Sequence, residues 1–255
     1  MVGKKTRLGA IYPIAGRALL SGMALSLAAP GIAHSLTGSA RAPSPDIAQC
    51  NRLPVPAADD ELMTREASLE LPADWKSFAD VSFNWVGVKT KLDYTHCINV
   101  SWVDYADNFE RLNDRFVGFD WSGYESGGYI MVDTEWTGFD LETGARPVFT
   151  ADGSRFASIN YSDSGFGAFE GFAIWDVLPA KLTPVHVVTN IPNLQDWRID
   201  RWEDESCIHL SAIENDQMID DWDNRGAIPR IHYVAGSPTG WILAAGSNCP
   251  RYDEG

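Results

Sequence analysis

The chain has 255 residues, of which 45% are hydrophobic and 22% charged, so it can bury a substantial core and is too apolar to stay disordered. Its 35 acidic residues against 20 basic ones leave a formal net charge of −15. That balance excludes a surface built to hold nucleic acid through its phosphates, or to dock on anionic lipid.

Lys4, Lys5 and Arg7 form a positive start, and residues 18–29 (ALLSGMALSLAA) are an unbroken run of small and apolar residues. Pro30 and Gly31 break the run, and Gly31-Ile32-Ala33 supplies small residues at the −3 and −1 positions of a cleavage site. This order predicts a signal peptide over 1–33, because the apolar run is shorter than the ~20 residues a membrane span needs. Losing Lys4, Lys5, Arg7 and Arg17 with it takes the net charge from −15 to −19. The expected location is therefore periplasmic or extracellular, with no membrane insertion after cleavage. Residues 34–49 are small and rich in Pro and Ser, as in a flexible lead-in. A single domain is expected over 50–255. A short N-terminal helix is predicted in the stretch ADDELMTREASLEL, with Asp59 as its N-cap.

From residue 79 onward the pattern turns to short alternating runs. Val81, Phe83, Trp85 and Gly87 recur at every second position, and Ile98, Val100 and Trp102 do the same. This is the period of a half-buried strand. Residues 104–114 (DYADNFERLND) have the composition of a turn or a single helical turn. Strands are predicted at 115–121 and 129–133, with a loop at 122–128 between them. Further strands are predicted at 147–149, 156–161, 172–177, 185–188, 197–202, 207–213, 230–234 and 241–245. Gly, Asp, Asn and Pro separate them, which points to an all-β, antiparallel domain.

The segment 138–177 is the most informative. Pro147-Val148-Phe149 opens a strand, Thr150-Ala151-Asp152-Gly153 makes a tight turn, residues 155–161 return, and Gly171-Phe172-Ala173-Ile174-Trp175-Asp176-Val177 ends in a Trp-Asp pair. Gly153 supplies the positive φ such a turn needs. The segment resembles a WD40-like β-propeller repeat of the TolB type, with Thr150-Ala151 in place of the usual Ser-Pro and with Asp152-Gly153 retained. It is also similar to exported bacterial proteins that carry one such blade. A degenerate second unit follows, with residues 197–202, a turn at Glu203-Asp204-Glu205, and residues 207–213. The resemblance implies propeller-like blades, incomplete or up to five in number given ~40–50 residues per blade. It implies little about function, because propellers host binding, scaffolding and catalysis alike.

The four cysteines, Cys50, Cys97, Cys207 and Cys249, all follow the predicted cleavage site, and an even number in an exported chain reads as two disulfides. Of the three pairings, Cys50–Cys97 with Cys207–Cys249 is preferred because it ties down both ends. His96-Cys97 and Cys207-Ile208-His209 are the spacings nearest to a zinc motif. Neither matches a zinc knuckle, so no metal and no cofactor are expected. The acidic run Asp220, Asp221, Asp223 and Asn224 fails the EF-hand spacing.

No G-x-S-x-G nucleophile elbow is present. Loop carboxylates Glu125, Asp133, Asp163 and Glu170, beside aromatic residues, are the candidates for paired-acid hydrolysis of a glycan. Trp121, Tyr124, Glu125, Trp136, Asp163 and Glu170 are the candidate ligand-binding residues, on loops around the blade-like segment. The other tryptophans of predicted strands, Trp175, Trp197, Trp202 and Trp241, are assigned to the core. The expected function is an exported, non-catalytic binding or interaction module of the cell envelope, with a protein, small-molecule or glycan partner. The alternative is a carbohydrate-active hydrolase of the envelope using paired loop carboxylates.

Overall fold

The computed structural model describes residues 45–54, 69–123, 126–161, 169–220, 226–236 and 240–249. The expected signal peptide, the helix capped by Asp59 and the acidic run 221–224 lie outside the described residues.

The chain is all-β, with every strand paired antiparallel and almost entirely to its sequence neighbour. Four sheets follow one another along the chain. The first holds β1 (Ala79–Ser82), β2 (Trp85–Lys89) and β3 (Thr95–Asn99). The second holds β4 (Tyr105–Arg111), β5 (Phe116–Gly123), β6 (Ser126–Asp133) and β7 (Phe139–Glu142). The third holds β8 (Val148–Phe149), β9 (Arg155–Asn160), β10 (Gly171–Leu178) and β11 (Lys181–Val188). The fourth holds β12 (Gln195–Asp204), β13 (Cys207–Ile213), β14 (Ile231–Gly236) and β15 (Ile242–Ala245). Among the described residues, helix is confined to α1 (Ile47–Cys50), a 3₁₀ turn at Trp75–Ser77, and α2 (Asn215–Asp220), with a further single turn after residue 225. Four consecutive meanders of three or four strands are compatible with a propeller-like arrangement.

Two short segments depart from the expected pattern. Residues 105–111 form strand β4 and not a helical turn. The pairing with β5 slips between Asp107 and Glu110, and Asn108 takes a φ of 48° inside the slip. Such a bulge breaks the period of two, so the alternation of Ala106 and Phe109 is hidden in the sequence. The expected loop 122–128 is mostly strand, since Ser122 pairs with Gly127 and Gly123 with Ser126.

The core lies in three seams between successive sheets. Val86, Val88 and Ile98 of the first sheet meet Val117, Phe119 and Val132 of the second. Phe116, Tyr129 and Met131 of the second meet Phe156, Ala173 and Trp175 of the third. Ile159, Phe172 and Ile174 of the third meet Ile208, Leu210 and Ala235 of the fourth. Central strands have apolar side chains on both faces because each middle sheet is covered twice.

Disulfides cover the two outward faces of this array. Cys97 pairs with Gly87 on the face opposite Val86 and Ile98, and bonds to Cys50 of α1 with Cα atoms 5.4 Å apart. The Asp46 N–H donates to Thr95 Oγ1 at 2.9 Å, which holds α1 on that face. At the other end, Cys207 bonds to Cys249 with Cα atoms 6.1 Å apart. Both separations fall in the usual range for a disulfide, and the pairing is the local one expected.

Candidate functional site

The turn from β6 to β7 builds a cleft against the β10–β11 turn. Its frame is Asp133, the last residue of β6. Asp133 is buried, and both its oxygens accept from Arg115 Nε, at 2.9 and 3.0 Å, while Oδ2 also accepts from Nη2 at 2.6 Å. Oδ1 accepts in addition from the Glu135 N–H at 2.9 Å, which starts the turn. Arg115 Nη1 donates to the Leu178 carbonyl at 2.7 Å, so the same guanidinium ties the second sheet to the third.

Trp136 occupies the tip of this turn with a φ of 53°, in the left-handed region that a bulky residue rarely adopts. Its indole N–H donates to the Pro179 carbonyl at 2.8 Å, yet the side chain stays 53% exposed. Phe139 beside it is 48% exposed. Asp133, Glu135, Trp136, Phe139, Lys181 and Leu182 line a cleft of about 210 Å³. Glu135 is held by an ion pair with Lys91. Arg115 itself lines a second hollow of about 410 Å³, whose wall includes Asn113, Phe149, Thr150, Asp152 and Val177.

The expected site residues are placed as follows. Trp136 lies in the cleft. Trp121 is buried in the first seam, with its ring edge-on to Trp102 at 4.3 Å. Glu170 precedes β10, is half-buried, and has one carboxylate oxygen buried without a hydrogen bond among the described residues. Tyr124, Glu125 and Asp163 lie outside the described residues. Of the hydrolase carboxylates, Asp133 has both oxygens committed to Arg115. Trp175, Trp197 and Trp241 are buried, and Trp202 is half-buried with its indole N–H on the Val148 carbonyl at 2.8 Å.

A second titratable cluster sits on β4. Arg146 grips Glu110 with Nε and with Nη2, the latter at 2.7 Å, and the Tyr129 hydroxyl donates to Glu110 at 3.0 Å. Burial pulls the Glu110 carboxyl up, but the Arg146 hydrogen bond and charge outweigh it and hold the group below its ordinary value. Burial, with the neighbouring Glu110 charge, pushes the Tyr129 phenol well up. Burial alone raises Glu142 on β7. Glu110 and Tyr129 share one face of the second sheet, and Glu142, which pairs with Ile130, lies on the other.

Sequence reasoning missed Arg115, Glu135, Phe139 and Lys181. One signal for Arg115 is present. An Arg-Phe pair stands at the start of both β5 (Arg115 just before it, Phe116 its first residue) and β9 (Arg155-Phe156), and an Asp lies at or near the end of the following strand in each case (Asp133, Asp176). Comparison of the chain with protein-family models, with curated proteins and with solved structures found no significant match.

Proposed function

We propose that this protein is an exported, non-catalytic binding module of the cell envelope, and that it engages its partner through the Trp136 cleft. The observation that supports this reading is a strained, anchored and half-exposed tryptophan at the mouth of a cleft. Backbone strain at a bulky residue is retained where the surroundings over-determine it, and such positions cluster at ligand clamps. The Pro179 carbonyl fixes the ring plane, so stacking on it costs little side-chain entropy. Trp136 and Phe139 are exposed aromatic side chains, and Glu135 and Lys181 supply a polar margin, as at the centre and rim of a protein or glycan contact. Two disulfides fit an oxidising compartment. No helix among the described residues is long and apolar enough to cross a membrane.

The test uses two probes. Purified peptidoglycan sacculi report glycan binding by co-sedimentation, and a photo-crosslinker at residue 139 reports a protein neighbour in intact cells. W136A is expected to weaken whichever contact is found by roughly 30-fold or more, the loss typical of a central tryptophan, with the unfolding midpoint little changed. Absence of both signals, or signals equal in W136A and wild type, rejects the reading.

A further inference from the structure

The outward face of the fourth sheet carries a cluster that the Trp136 cleft does not use. Along β13, Ile208, Leu210 and Ala212 point into the third seam, so Cys207 and His209 point the other way. The His209 side chain is only 7% exposed. Its Nε2 lies 3.5 Å from Cys249 Sγ, 2.7 Å from Glu203 Oε2 and 3.3 Å from Arg201 Nη2. Both sulfurs and the imidazole nitrogen lie within 4.8 Å of one another. Among the described residues, the other bridge has no such surroundings. His96 precedes Cys97 on β3, and its Nε2 is taken by Asp140 at 2.7 Å.

We propose that Cys207, Cys249, His209 and Glu203 form a zinc site when the Cys207–Cys249 bridge is reduced. Tetrahedral zinc, with Zn–S about 2.3 Å and Zn–N about 2.0–2.1 Å, places sulfur and nitrogen about 3.5 Å apart. That is the Sγ to Nε2 separation already present. The carboxylate of Glu203 completes the four ligands. Two thiolates and one carboxylate around Zn²⁺ leave one negative charge, which the Arg201 guanidinium offsets. The redox step is a two-electron exchange. A dithiol reductant gives two electrons and two protons to the S–S bond and becomes a disulfide itself. Zn²⁺ then displaces the two thiol protons into solvent and forms two Zn–S bonds. Oxidation reverses the sequence and expels the ion, so the chain holds either the bridge or the metal at this place.

The experiment titrates Co²⁺ into the folded protein before and after reduction with a phosphine, then displaces it with Zn²⁺. The reduced protein is expected to take one Co²⁺ per chain, with sulfur-to-cobalt charge-transfer absorption that Zn²⁺ abolishes. The oxidised protein is expected to take none. H209A, folded with its bridge intact before reduction, is expected to weaken Zn²⁺ binding roughly 100-fold, and E203Q roughly tenfold. C50S/C97S is expected to keep the signal and C207S/C249S to lose it. No Co²⁺ uptake after reduction, uptake unaffected in H209A, or a signal that follows the Cys50–Cys97 pair overturns the proposal.

Discussion

Asp133 is enclosed by Arg115, which gives it three hydrogen bonds from two guanidinium nitrogens while spending a third nitrogen on the Leu178 carbonyl of the next sheet. The third sheet repeats the device. Arg155 Nε donates to Asp176 at 2.8 Å, and Arg155 Nη1 reaches the Glu205 carbonyl of the fourth sheet at 2.9 Å. Each arginine thus links the start of one strand to the next strand of its own sheet and to the following sheet, Arg115 at the end of β10 and Arg155 at the β12–β13 turn.

The two pairs differ in burial, and that difference predicts their energetics. The Arg115 and Asp133 side chains are 15% and 8% exposed, against 27% and 37% for Arg155 and Asp176. R115M strands a buried carboxylate and is expected to cost about 3–5 kcal/mol. R155M leaves its carboxylate in contact with water and is expected to cost about 1 kcal/mol or less. Urea midpoints of the two variants check this order, and equal losses would contradict it.

Acid should weaken the turn at Asp152. Its carboxylate accepts from the Ser154 N–H at 3.0 Å and from the Thr150 and Ser154 hydroxyls at 2.7 and 2.8 Å. These bonds, the Ser154 N–H first, lower its pKa to about 2. A folded-state pKa below the unfolded value stabilises the fold above pH ~4, and the gain is lost as pH falls through about 2. The stability gap between wild type and D152A is therefore expected to shrink from pH 5 to pH 2. A gap that stays constant over that range would contradict the assignment. Asp204 accepts from Ser206 in the matching turn of the fourth sheet and is lowered for the same reason.

Each bridge closes a loop of similar length, with sequence separations of 47 and 42. Loop closure alone gives about 4 kcal/mol for either. C50S/C97S also releases α1 from the first sheet and exposes the Gly87 face. It is expected to lose at least as much stability as C207S/C249S in chemical denaturation.

Two glycines should respond very differently to alanine. Gly153 has a φ of 71°, and a Cβ there would meet nothing within 4 Å. G153A is expected to cost only the left-handed penalty of about 1–2 kcal/mol. Gly171 opens β10 with a φ of 109°, and its Cβ would lie 1.8 Å from the Val188 carbonyl oxygen. G171A must part β10 from β11 and is expected to cost more than 3 kcal/mol, in the range of severe single substitutions. Thermal unfolding of the pair tests the contrast.

Alternation and turn chemistry were enough to read the all-β class and most strands, because a strand with one buried face writes its period directly into the chain. Asp152-Gly153 marked its hairpin because only a residue free at positive φ closes so tight a turn. The local pairing of Cys50 with Cys97 and Cys207 with Cys249 also followed from order along the chain. The β4 bulge at Asn108 did not, since one extra residue erases the period it interrupts. Nor did the fates of the tryptophans. Trp121 and Trp136 stand in similar loop-edge contexts, yet one is sealed against Trp102 and the other faces solvent over Pro179. Burial is decided by which sheet packs on which. The tertiary structure alone brings Pro179 to Trp136, Arg115 to Leu178 and Cys249 to His209, because each contact joins residues 40 or more positions apart.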